Sequence, residues 1–335
     1  MLCRVADSLF WMSRYIERAE NTVRLVDVTL QTILESEHGS DEISYTHWKP
    51  ILTALGEIEL FESQHPEKTS RAVNNFLTFS KENPSSVFNC IAFARENARM
   101  IRDQISSEMW ETINRMYLFL KNTNAEKVCS ELTFEFFQKI KEFSLLFQGI
   151  TEATFPHQIG YEFIICGRQL ERADKTCRIL DSKQYMRSNN DHENDALDVA
   201  QWAALLRGCS AFEAYHRIYA SQITGEHVRN MLMLSRNFPR SVLFCVNKLQ
   251  LAMHAISKCP ITYFSNEAER KMGILISRLN YANENDLKDN KADQLIEDIE
   301  DALAEIAVEL SNRYMFREIV DPVAELAELA ELAEG

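Results

Sequence analysis

The strongest constraint on this chain lies near its start, in Arg4-Val-Ala-Asp-Ser-Leu-Phe-Trp-Met-Ser-Arg-Tyr-Ile-Glu-Arg-Ala-Glu-Asn-Thr-Val-Arg-Leu-Val-Asp27. At 100° per residue, Leu9, Met12, Tyr15, Ile16, Ala19, Val23, Val26 and Leu30 share one apolar arc. Asp7, Arg14, Glu17, Arg18, Asn21 and Arg24 take much of the opposite side. The spacing predicts a long helix from about Cys3 to Glu35. Its charged part returns as Arg168-Gln-Leu-Glu-Arg-Ala-Asp-Lys-Thr-Cys-Arg-Ile-Leu-Asp181. Arg14/Arg168, Glu17/Glu171, Arg18/Arg172, Ala19/Ala173, Thr22/Thr176, Arg24/Arg178 and Asp27/Asp181 are identical pairs, all 154 positions apart with no gap. Two helices with one fixed charge pattern must each bury an apolar arc and find a setting for the charges.

The rest of the chain reads as helix too. Gly (9) and Pro (7) are scarce among 335 residues, and no useful run alternates with the two-residue period of a strand. The expected class is all-α, a multi-helix bundle of about ten or more helices, with two related Glu-Arg helices in its two halves. Further helices are expected from Trp48-Lys-Pro50 to Phe61, with Pro in the first turn, and from Ser70 to Ser80. Asn83-Pro84 opens the helix carrying Ala94-Arg-Glu-Asn-Ala-Arg-Met-Ile-Arg-Asp103. Ser107 caps a helix from Glu108 to Lys121, and another spans Asn124 to Phe147. Gly149 to Gly160, with Pro156, is the candidate boundary between halves of about 1–150 and 151–320. Tyr161 to Tyr185, Ala196 to Ala220, Thr224 to Leu234, Phe238 to Ser257, a helix capped by Ser265, and Lys288 to Phe316 complete the set. Ser188 to Asp195 reads as a polar loop. The tail 321–335 repeats Ala-Glu-Leu, a period of three that fits neither a heptad nor 3.6, and reads as frayed or disordered.

Composition removes several functions. The net charge of −14 argues against duplex nucleic acid, which needs a basic face. No apolar run reaches the roughly 18 residues that span a bilayer, and Met1-Leu2 leads directly into the first helix without a signal-peptide pattern. A cytoplasmic protein, with no membrane and no nucleic-acid partner, is expected. The eight Cys are dispersed with no CxxC, so reduced, mostly buried thiols are expected. HExxH, GxSxG, P-loop and GxGxxG patterns are absent.

The Glu-Arg helices admit three settings: a structural ion-pair network across the two copies, a ligand site, or a solvated face. In a ligand site, Arg14, Arg18, Arg168 and Arg172 bind an anionic group, for which guanidinium is the better cation. Glu17 and Glu171 hold the guanidiniums or act as acid and base. Asn21 lies on the same face; Arg95, Arg99 and Arg102 share a stripe on a third polar helix of related character, and Arg95, Glu96 and Arg99 join the candidate substrate-binding residues. A di-iron bundle needs two Glu-x-x-His pairs plus two further Glu. Glu213-Ala-Tyr-His216 is one such pair, but Glu62-Ser-Gln-His65 lies beside Pro66. No metal ligand and no cofactor are assigned.

Arg4 to Arg24 resembles the opening of the bacterial alpha-E domain family, which takes its name from its helices and Glu-Arg motif. Phe93 to Glu111, Leu205-Leu-Arg-Gly-Cys-Ser-Ala-Phe-Glu-Ala-Tyr215 and Pro239-Arg-Ser-Val-Leu-Phe-Cys245 resemble it in the same order. The resemblance implies one continuous helical domain over 1–320, because these stretches straddle Pro156. It also implies association with circularly permuted ATP-grasp proteins and transglutaminase-like proteins, and so a part in ATP-dependent amide or peptide-bond formation or peptide modification. The expected function is a helical component of such a system, with an acidic substrate or intermediate bound on its Arg/Glu helices. A non-catalytic adaptor with structural Glu-Arg pairs is the alternative, and a metal-dependent helical-bundle oxidase is the third reading. Whether the chain itself catalyses a step stays open.

Overall fold

A computed structural model describes residues 3–35, 41–131, 134–186, 195–220 and 222–315. These residues form α1 (Cys3–Glu35), α2 (Asp41–Leu55), α3 (Ile58–Gln64), α4 (Ser70–Thr78), α5 (Val87–Met100), α6 (Ser107–Asn122), α7 (Ala125–Glu131) and α8 (Phe134–Thr154). They continue as α9 (Ile159–Met186), α10 (Asp195–Gly208), α11 (Phe212–Ile218), α12 (Gly225–Leu234), α13 (Val242–Ser257), α14 (Glu267–Tyr281), a 3-10 turn at Glu284–Leu287 and α15 (Asp289–Tyr314). No strand occurs among the described residues, so the chain is all-α as expected. Nearly all of the polar loop expected at Ser188 to Asp195, and the tail 321–335, fall outside the described residues.

Several helix ends differ from the sequence reading, each for a local reason. Asn83 does not cap a helix; its carboxamide oxygen accepts from the Ser85 N–H at 2.8 Å and turns the chain, so α5 starts after Ser86. Thr69, Ser86, Ser106, Thr224, Ser241 and Asn266 are caps, each accepting the N–H three residues on. Ser106 and Asn266 therefore replace the expected Ser107 and Ser265. Pro50 sits inside α2, not in a first turn. The helices expected over Trp48–Phe61 and Ala196–Ala220 are each broken in two, by left-handed residues at Gly56 (φ 78°) and Ser210 (φ 52°). Such a residue ends a helix because it turns the backbone out of the right-handed spiral. The segment expected over Asn124–Phe147 is two helices, and the second runs through the proposed boundary to Thr154.

The helices pack in matched pairs around α1 and α9, which lie against each other. α1 carries α5 and α8, and α9 carries α13 and α15. α5 packs on α6 as α13 packs on α14, and α6 on α8 as α14 on α15. α2 and α10 exchange partners, since α2 packs on α9 and α10 on α1. The buried apolar side chains form one contiguous cluster through all these contacts. The α1–α9 crossing is close. A Cβ on Gly167 would stand 2.3 Å from both the Phe10 carbonyl oxygen and Ser13 Oγ, so only glycine fits. The Ser13 hydroxyl lies 3.0 Å from the Phe10 carbonyl and 2.9 Å from that of Ile164, tying the two backbones together.

Candidate functional site

The crossing turns the charged faces of α1 and α9 inward, onto each other. Arg18 donates from Nε and Nη2 to the two oxygens of Glu171 at 2.7 and 3.1 Å. Arg172 makes the reciprocal fork to Glu17, at 2.8 and 2.7 Å. Glu17 and Glu171 are fully buried. A bidentate guanidinium–carboxylate pair is the strongest arrangement available to these groups, and burial makes its geometry matter. Arg14 adds a contact to Glu171 at 2.9 Å and lies over the Trp11 ring at 4.9 Å. Burial alone would raise the Glu17 carboxyl, but the Arg172 and Arg240 guanidiniums outweigh it and hold the group at about 2. Glu171 is likewise driven below the usual carboxylate range against burial, by Arg18 and Arg14.

The second layer is built from neighbouring helices. Arg240, in the turn before α13, reaches Glu17 at 3.1 Å, Asn21 at 2.7 Å and Glu20 at 2.5 Å. Glu20, also fully buried, accepts further bonds from Arg24 (2.9 Å), Ser144 (2.5 Å) and Gln148 (3.2 Å). Asp27 is held by Lys141 at 2.8 Å. Neither Arg240 nor Glu20 is among the candidate site residues of the sequence reading, although Arg240 lies in one of the stretches that carry the resemblance. A signal for Arg240 exists: Pro239-Arg-Ser-Val242 aligns with Pro84-Ser-Ser-Val87, and Cys245 with Cys90. Arg240 stands where the first copy has Ser85, so it is an added charge on one side of an otherwise matched pair.

That asymmetry decides the fate of Arg168, the counterpart of Arg14. Arg14 shares Glu171 with Arg18, whereas Glu17 is taken by Arg172 and Arg240 together. Arg168 donates no hydrogen bond to any described residue, and its Nε is buried without a partner. Burial, and then the neighbouring Arg172, push its guanidinium pKa down. Arg168 lines a cleft of about 530 Å³ between the end of α8, the start of α9 and α13. Lys248 and Arg172 line the same cleft, together with Glu152, Glu162 and Tyr161. The buried Gln169 also turns toward it, and its side-chain oxygen is unpartnered.

The remaining candidates lie elsewhere. Arg95 bonds Asn114 at 2.8 Å and Glu96 at 2.9 Å, and Arg99 bonds Glu96 at 2.7 Å. This stripe makes no hydrogen bond to the α1–α9 network and is largely open to solvent. Glu213 and His216 are exposed on the short α11. Neither Glu213–His216 nor Glu62–His65 belongs to any cluster of three possible ligands among the described residues. Six cysteines are buried and two are half-buried, all as free thiols. Burial pushes Cys90, Cys209 and Cys245 up to about 12, so they are unreactive at neutral pH.

Comparison with known proteins matches residues 1–315 to Alpha-E, described as "a predicted alpha-helical domain with a conserved ER motif". The chain is similar to the uncharacterized protein Mb2597 of Mycobacterium bovis and the uncharacterized protein Rv2567 of Mycobacterium tuberculosis, at 22% identity over 325 residues in each case. The match covers 92% of this chain but only 35% of either relative, so the chain spans about a third of their length. No solved structure matches. No helix among the described residues is long and apolar enough to cross a membrane.

Proposed function

Because the chain belongs to the Alpha-E family, we propose that it is a helical component of an ATP-grasp-associated system for peptide or amide-bond formation or peptide modification, and that it holds an acidic, amino-acid-like substrate at Arg168. The family resemblance supports the ATP-grasp and transglutaminase-like partners. The extra length of the relatives leaves room for further parts of such a system. Arg168 carries the binding reading: it is the one motif arginine without an acceptor among the described residues, and it faces a cleft. A substrate carboxylate would satisfy its Nε and bring a charge-assisted bond into a half-buried setting. Lys248 would add a second cation, and Glu152 and Glu162 would face the ammonium of the same molecule. Arg14, Glu17, Arg18, Glu171 and Arg172 then form the rigid wall behind the site, their hydrogen bonds committed to one another, with Asn21 held beside them by Arg240.

The test is calorimetric titration of the full chain with a glutamyl dipeptide, beside Arg168→Met. Saturable binding in the parent, lost in a variant of equal or greater thermal stability, supports the reading. No binding in the parent, or equal binding in the variant, overturns it. The adaptor reading is favoured by a different observation: both central glutamates are saturated with partners, as a purely structural network requires. It predicts no dipeptide binding and a working surface elsewhere.

A further inference from the structure

A second cluster of chemistry-bearing side chains lies at the far end of α13, outside the Glu-Arg network. One ring nitrogen of His254, Cys259 Sγ and a carboxylate oxygen of Glu269 all lie within 4.8 Å of one another. His254 and Glu269 are buried, and Cys259 is half-buried. The turn that gathers them is sharp. α13 ends at Ser257, Lys258 is left-handed (φ 60°), and Cys259 folds back over the last turn. Its N–H is held by Ser257 Oγ at 3.1 Å. Glu269 arrives from the first turn of α14, three residues after the Asn266 cap.

Each outer contact leaves one donor atom free. His254 Nδ1 is 3.0 Å from the Cys259 carbonyl. A carbonyl only accepts, so Nδ1 carries a proton, and in the neutral imidazole Nε2 is the nitrogen with the lone pair. Glu269 Oε2 accepts from the Ser265 N–H at 2.6 Å and from its hydroxyl at 3.0 Å. Glu269 Oε1 is buried and has no hydrogen-bond partner, the Ser257 hydroxyl beside the carboxylate donating instead to the His254 carbonyl at 3.4 Å. A buried carboxylate oxygen without a donor costs free energy unless a cation meets it. His254 does not bond it directly, although the two side chains face each other. The result is a nitrogen, a sulfur and an oxygen within 4.8 Å of one another, with the imidazole and the carboxylate each fixed by an outer hydrogen bond, as metal ligands commonly are.

We propose that His254 Nε2, Cys259 Sγ and Glu269 Oε1 form a zinc(II) site. The donor set of one nitrogen, one thiolate and one carboxylate suits zinc, and excludes magnesium and calcium, which take oxygen ligands. Three protein ligands leave a fourth tetrahedral position for water. Cys259 loses its proton to solvent when it binds the ion. The site lies apart from Arg168, so this proposal stands independently of the dipeptide reading.

The test is zinc titration of the full chain after dialysis against a chelator, for the parent, Cys259→Ser and Glu269→Gln. Glutamine keeps an oxygen for the Ser265 donors, so that variant retains the turn if serine at 259 does not fold. One equivalent is expected in the parent, with a rise in Tm and at least roughly tenfold weaker affinity in each folded variant. Cobalt(II) in place of zinc should give a near-ultraviolet thiolate charge-transfer band that Cys259→Ser lacks. Absence of a saturable equivalent in the parent, or affinity and cobalt spectrum unchanged in the variants, overturns the site.

Discussion

Replacing Glu17 by Gln tests the central network most directly, because it keeps the volume and removes one charge. Glu17 lies between Arg172 and Arg240, with Arg168 nearby, in a setting closed to water. In the parent its carboxyl is held at about 2 instead of the ordinary 4.5, which corresponds to about 3 kcal/mol of stability at neutral pH. Breaking a buried pair by removing one partner costs about 3–5 kcal/mol by an independent route, because the remaining charge stays buried. By the scale of about 2–4 °C per kcal/mol for domains of about 150–250 residues, Glu17→Gln should melt up to roughly 6–20 °C below the parent. The pH dependence has a definite sign. A depressed folded pKa contributes stability that is complete above the unfolded value of 4.5 and is lost as pH falls toward 2. Glu17→Gln should therefore lose most at pH 7, and its deficit should shrink in acid. Urea unfolding of parent and variant at pH 7 and pH 3.5 measures both effects. Adding Arg172→Met should recover part of the loss, because both members of the pair are then uncharged. A Glu17→Gln protein within about 1 kcal/mol of the parent at pH 7, with an unchanged pH profile, would refute the argument that this carboxylate is held by its arginines.

Two further perturbations probe the frame. Gly167→Ala would drive a methyl into the Phe10 carbonyl, which cannot swing aside, and should cost about 1–3 kcal/mol or more in urea unfolding. Gly149→Ala in α8 meets nothing within 4 Å and should instead gain up to about 1 kcal/mol from helix propensity. Glu300 on α15 is raised to about 7 by burial in spite of Arg178, with its Oε1 unpartnered. A raised folded pKa means stability present below 4.5 and lost as pH climbs through about 7. Glu300→Gln should thus melt above the parent at pH 8 and close to it at pH 5.

The long helices and their apolar arcs were legible because both are local: Leu9, Met12, Ile16, Val23 and Val26 fall on one side by periodicity alone, and all are buried. The helix ends were less legible. Asn83, Ser107 and Ser265 are plausible caps, but the cap is the residue whose own backbone leaves the spiral, and that depends on the preceding turn. The left-handed residues Gly56 and Ser210 lie 154 positions apart, as do Trp48 and Trp202. The repeat therefore extends well beyond the Glu-Arg helices and was readable further than their charges alone suggested.

The sequence by itself determined that this chain is helical and that one charged helix face occurs twice, because periodicity and identity at fixed spacing need no knowledge of neighbours. Only the tertiary structure decided what those charges meet. The close passage at Gly167 turns Glu17 and Glu171 away from water and onto each other's arginines, and Arg240 arrives from 223 residues beyond Glu17 to take the place that Arg168 would otherwise fill. The gathering of His254, Cys259 and Glu269 likewise depends on one left-handed residue and the packing of α14. Charge identity is written along the chain, but the strength and meaning of each charge are set by burial and by partners that are remote in sequence.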